Sequence, residues 1–123
     1  METNNLVLLR GTLTNDPAVR TLPSGDSVTQ LEVSTRVDGR AVSVPVSVHD
    51  RAVTLAGGDE IVVTGHVRRR FFRAGGVTQS RTEVVAAEVV KATRARTVQR
   101  AIDRLHDAIG DGTQETGGRE SGG

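Results

Sequence analysis

The sequence has no cysteine, no tryptophan and no tyrosine, and only two phenylalanines among its 123 residues. Without cysteine there are no disulfides and no thiolate chemistry. Without large rings, which supply much of the buried area of most cores, the interior must be built from valine, leucine, isoleucine and alanine. Valine favours strands. Hydrophobic residues make up 36% of the chain, enough for one small core. No apolar run approaches the length of a membrane span. The opening METNNLVLLRG is charged and polar within a few residues of any apolar run, unlike a secretory leader. These absences point to one soluble, cytoplasmic domain.

Catalytic signatures are missing as well. There is no Gly-x-Ser-x-Gly elbow and no phosphate loop. Adjacent Asp59 and Glu60 open a strand, where carboxylates are solvated turn residues rather than an acid–base pair. His49, His66 and His106 lack the local spacing of metal ligands. The expectation is a protein that is not an enzyme and needs no cofactor and no metal.

Both phenylalanines, Phe71 and Phe72, fall in GHVRRRFFRAGG, with Arg68, Arg69, Arg70 and Arg73 around them. The net charge is only +1, so composition alone does not argue for a nucleic-acid partner. The distribution says more: from Ile61 to Thr82 there are five arginines and no acidic residue.

Alternation predicts five strands. In NLVLLRGTL, Val7, Leu9, Gly11 and Leu13 share one face, and Asp16-Pro17 closes the strand. LPSGDS is a turn cluster. The second strand, VTQLEVSTRV, sets Leu31, Val33, Thr35 and Val37 against Gln30, Glu32, Ser34 and Arg36. Asp38-Gly39 is a hairpin turn, since both residues accept positive φ. The third strand, AVSVPVSVHD, points Val42, Val44, Val46 and Val48 inward and Ser43, Pro45, Ser47 and His49 outward. Pro45 cannot donate to a ladder, which places it at an edge or a bulge. RAVTLAGGDE has room for one helical turn before Gly57-Gly58. The fourth strand starts at Ile61 and aligns His66, Arg68, Arg70 and Phe72 on one side; Phe71, on the other, is expected to pack in the core or the hairpin. Gly75-Gly76 turns the chain into the fifth strand, VTQSRTEVVAAEVV.

Five strands with one short helix between the third and fourth indicate an all-β barrel, which removes the exposed edges that valine-rich strands would otherwise offer. After it, TRARTVQRAIDRLHDAIG places Val98, Ala101, Ile102, Leu105 and Ile109 at helical spacing, an amphipathic helix ended by Gly110. Its stripe either packs on the barrel or docks a protein partner. The expected units are a barrel over residues 1–92, a helix over 93–110, and a Gly-rich disordered tail over 111–123.

Three ordered blocks resemble the bacterial single-stranded DNA-binding proteins. They are Asn5-x-Val7-x-Leu9-x-Gly11-x-Leu13 followed by Asp16-Pro17, Arg20, Ser24-Gly25 and Val28; then Gly58-Asp59-x-Ile61-x-Val63-x-Gly65-x-Val67-x-x-Arg70; then Glu83-Val84-x-Ala86-x-x-Val89. The similarity covers roughly residues 4 to 90. It implies an OB-fold, a homo-oligomer (tetramer favoured, dimer second), and single-stranded DNA bound without sequence preference in replication, recombination or repair. Single strands are held by a positive groove for phosphates and by rings on which any base can stack; single-strand-binding OB-folds are the standing example of that rule. By position, Phe72 falls where a family tryptophan stands, and Ser43 and His49 fall where two other family aromatics stand. Arginine can stack on bases and bond phosphate, and alternation places Arg36, Arg68 and Arg70 to do so. His66 and Arg73 complete the expected binding set. Family members commonly close on an acidic tip with a Pro-Phe pair, whereas this sequence closes on GGRESGG, as either a divergent paralogue without that tip or a chain cut short would. The second reading is an OB-fold accessory protein, similar to the primosomal replication protein N group, that works through protein contacts and binds nucleic acid weakly.

Overall fold

The computed structural model describes residues 3–117, with side chains through residue 109. Among them the strands are β1 (Val7–Leu13), β2 (Ala18–Thr21), β3 (Ser27–Val37), β4 (Arg40–His49), β5 (Glu60–Ala74) and β6 (Val77–Lys91), followed by helix α1 (Ala95–Gly117). Five of the strands close on themselves: the order runs β1-β5-β6-β4-β3, and β3 returns to β1 through Thr12–Ser34 and Leu13–Val33. The sixth, β2, lies along β3 as an added edge. All pairings are antiparallel except β4 with β6. This is the OB-fold barrel that the strand alternation and the family resemblance imply.

The core contains no ring. Leu13, Leu31, Val33, Val46, Val48, Ile61, Val63 and Val84 fill the barrel, each supplied by the inward period of its strand. Backbones must come close where the barrel bends. At Gly65, opposite a register shift, any Cβ would run into the carbonyl of Val85, so only glycine fits. Asp38 and Gly39 both take positive φ, as the two-residue hairpin turn requires. Pro45 lies just before the parallel ladder of β4 to β6, which begins at Val46. It therefore occupies a stretch of β4 where no N–H is needed on that side.

Besides the added strand β2, which the sequence did not predict, three features of the barrel depart from expectation. The segment between β4 and β5 contains no helix. Val53 and Leu55 both pack toward the core, a spacing of two that an extended chain satisfies and one helical turn does not. Val42, expected inside, is 40% exposed, because the β3–β4 hairpin runs past the end of the barrel and leaves the core side of its tip uncovered. Phe71 is 67% exposed for the same reason on the β5–β6 hairpin. It belongs neither to the core nor to a packed hairpin.

Helix α1 lies against β5 and β6. Its Val98 and Ala101 are buried, as are Val62 and Thr64 on the outer side of β5. Arg104 donates from Nε to Glu88 Oε2 at 2.9 Å and pairs with the other carboxylate oxygen. The hydrogen bond from Arg104, opposed in part by burial, holds the Glu88 carboxyl below its ordinary value, and Glu88 raises Arg104 in turn. The helix continues to Gly117, past the expected stop at Gly110. The rest of the expected tail, 118–123, lies outside the described residues.

Candidate nucleic-acid interface

Outside the barrel, β3, β4, β6 and β5 present a continuous polar surface, produced by the same alternation that sends their valines inward. On β4, Val46 and Val48 are core residues, so Ser47 and His49 face out. On β6, Val84 is core and Glu83 faces out. Register then decides what meets. Arg68 sits directly across from Glu83, and Arg70 directly across from Arg81. Together Arg20, Leu22, Val28, Gln30, Ser47, His49, Arg68, Arg70 and Glu83 line a cavity of about 200 Å³.

The arginines here are not free. Arg68 donates from Nη2 to Glu83 Oε2 at 2.6 Å, and Arg70 Nε lies 3.6 Å from Glu83 Oε1. Ser47 Oγ also donates to Glu83, at 3.4 Å. Glu83 is 3% exposed, a buried carboxylate with a guanidinium on each oxygen. A second carboxylate repeats the arrangement nearby: Glu32 accepts from Arg81 at 2.7 Å and from Ser43 Oγ at 2.8 Å. Two like charges directly opposite across strands would repel. Here Arg70 and Arg81 are each attached to a different acid, which separates their charges.

Arg70 also covers the ring of Phe72, with its guanidinium carbon 5.3 Å from the ring centre, within cation–π range. Phe72 is half-buried while its neighbour Phe71 stands out on the other side. Three nitrogens shielded from solvent have no hydrogen-bond partner: His49 Nε2, Arg68 Nε and Arg70 Nε. All three belong to residues lining the cavity.

The expected binding residues thus divide. His49, Arg68 and Arg70 come together at the cavity, and Phe72 joins them through Arg70. Ser43 stands on the same surface with its hydroxyl committed to Glu32. Arg36 and Arg73 fold back onto hairpin turns, donating to the carbonyls of Gly39 and Gly76 at 2.7 Å each. His66, on the same strand face as Arg68, is turned toward α1 and lines a different hollow with Leu6, Leu105 and Ala108. The sequence reading missed Arg20, Gln30, Ser47, Arg81 and the two carboxylates. Except for Arg20, whose strand β2 no alternation predicted, their outward direction was available from alternation. Their convergence required the β4–β6 and β5–β6 registers. Among the described residues no group of side chains could hold a metal ion, and no helix is long and apolar enough to cross a membrane.

The single-strand binding protein family matches residues 4–92, most of the chain and the whole barrel. No curated protein matches it.

Proposed function

Because this chain belongs to the single-strand binding protein family, whose members bind single-stranded DNA without enzymatic chemistry, we propose that it holds DNA strands of any sequence along the outer surface of β3–β6. The observation that carries this reading is the placement of Arg68, Arg70 and Phe72 on one strand face beside His49, Gln30 and Ser47. The arginines offer donors to phosphate, and the Phe72–Arg70 stack offers a flat surface to a base. His49 Nε2 and Arg68 Nε, which have no hydrogen-bond partner, support a surface that a ligand completes.

Glu83 sets the manner of binding. It neutralises one of the two arginine charges, so a phosphate meets a shared cation rather than two free ones. Sequence tolerance then rests on stacking and backbone contact. We place this activity in the cytoplasm, in replication, recombination or repair, and assign it to a homotetramer. A barrel this small, with no ring in its core and Leu6 and Leu8 partly exposed, gains stability from association. The accessory-protein reading is the weaker one, because the first turns of the helix stripe that would dock a partner already pack on the barrel at Val98 and Ala101.

Titration of fluorescent oligo-dT, read by anisotropy at about 50 and about 200 mM salt, tests the function. Binding that weakens steeply between the two supports it; no binding at the lower salt overturns it. Light scattering tests the assembly, and a monomer mass at micromolar concentration would overturn the tetramer.

A further inference from the structure

Strand β4 leaves the cavity at His49, and the residues that follow line a second hollow. This cleft, about 430 Å³, lies between the β4–β5 segment, the end of β6 and the first turn of α1. Its apolar floor includes Val48, Val53 and Leu55, and its cations are Arg51, Lys91 and Arg94. No carboxylate lines it. Among the described residues none of the three cations has a side-chain hydrogen bond or an ion-pair contact. Glu88 attracts Arg51 only at longer range and is itself held by Arg104.

The start of α1 adds to the imbalance. Its first helical hydrogen bond runs from the Val98 amide to the Arg94 carbonyl, which makes Arg94 the cap. Good caps carry a side-chain oxygen that accepts from the free amides of the first turn. Arginine has no acceptor, and the first turn contains no acid. Positive charge therefore gathers at the end of the helix whose dipole favours anions. The complement this cleft lacks is negative.

We propose that the cleft is a second anion site, taking the phosphates of a single DNA strand that runs on from the first cavity past His49. The proposal rests on the single-strand reading above. Continuity selects the occupant. His49 lines the first cavity and Arg51 the second, so the two hollows meet at neighbouring positions of one segment, with only the exposed Asp50 between them. In the cleft, phosphate meets the three cations and a sugar or base edge meets Val53 and Leu55.

The test uses the full chain and a double variant, Arg51→Ala with Arg94→Ala, both changes at exposed positions. Fluorescent oligo-dT of about 8 and about 30 nucleotides probes the first cavity alone and the longer path. The expected result is an unchanged short-strand affinity and a roughly tenfold loss on the long strand at low salt. The long-strand salt slope should fall by about 0.7 per lost phosphate contact. Equal loss on both lengths, or no loss on either, overturns the second site while leaving the single-strand function intact. If the wild-type chain binds neither length, both readings fall. If the double variant keeps both oligonucleotides but loses a polyglutamate peptide that the wild type binds, the cleft belongs to acidic peptides and the proposal is overturned. Thermal unfolding of the variant confirms that its barrel is intact.

Discussion

Arg68 and Arg70 on the one side, and Arg51 and Arg94 on the other, carry the same charge in opposite circumstances. The first two share a buried carboxylate, at 2.6 Å and 3.6 Å, and one of them stacks on a ring. The second two line a cleft with no acid in its wall. Counting arginines treats the two regions alike, but a phosphate would not. Where Glu83 already holds the guanidiniums, an incoming strand gains less from charge and more from stacking and shape. Where no acid is present, charge supplies most of the attraction and salt removes most of it.

The largest effect should come from the ring. Phe72→Ala is expected to cost about 1–3 kcal/mol of oligo-dT binding. Anisotropy titrations at two salt concentrations should show the same loss at both, since stacking releases no counterions. A variant that unfolds without a separate binding defect would show that the half-buried ring serves the barrel instead.

Next comes the carboxylate that distinguishes the two regions. A buried carboxylate about 6 Å from a bound phosphate repels it by roughly 0.7–3 kcal/mol at effective dielectric constants of about 80 to 20. Glu83→Gln keeps the shape and removes the charge. It should tighten oligo-dT binding by roughly threefold to 150-fold at low salt and steepen the salt slope, making the first region behave like the second. It should also lower the melting temperature, because two arginines lose their buried partner. Weaker binding in this variant would mean that Glu83 acts chiefly by positioning the arginines.

Arg70→Ala should have a smaller effect, and its size sharpens the contrast. A free arginine contributes about 0.7 of a unit of salt slope per phosphate contact on a single strand. Because Arg70 shares Glu83 with Arg68, the slope on short oligo-dT should flatten by less than that. Flattening by the full amount, about 0.7, would indicate that the pair with Glu83 opens when DNA binds.

The smallest effect is that of low pH on the docking of α1. Arg104 holds Glu88 below its ordinary value of 4.5. A carboxyl with a depressed folded value stabilises the fold fully above its unfolded value and loses that contribution as pH falls through the folded one. Below pH 4.5, therefore, α1 should dock less firmly, seen as faster amide hydrogen exchange in the helix, while barrel amides stay protected. Glu88→Gln should abolish that pH dependence. Unchanged helix exchange across this range in the wild type would show that Val98 and Ala101 hold α1 unaided.

What the sequence determined by itself was the set of local rules. Period-two valines specified the strands and their inward faces; Asp38-Gly39 specified a hairpin; the glycines, Arg20 and the Glu83-Val84-x-Ala86 run carried the family resemblance; and the helical stripe from Val98 was legible without a fold. Each depends on neighbours a few residues away. Tertiary structure decided everything that depends on register and reach. Whether Val53 and Leu55 belong to a helix or an extended segment was settled by where the core lies. His66 and Arg68 share a strand face, yet twist and the docking of α1 separate them. Phe71 and Val42 follow the inward period but stand past the end of the barrel, where there is no core left to enter. Above all, Ile61 to Thr82 reads as arginines with no acid among them, and Glu83, the next residue, cancels part of that charge. Sequence distance placed it 15 positions from Arg68; the β5–β6 hairpin places it directly opposite, because antiparallel pairing converts a distant residue into a cross-strand neighbour.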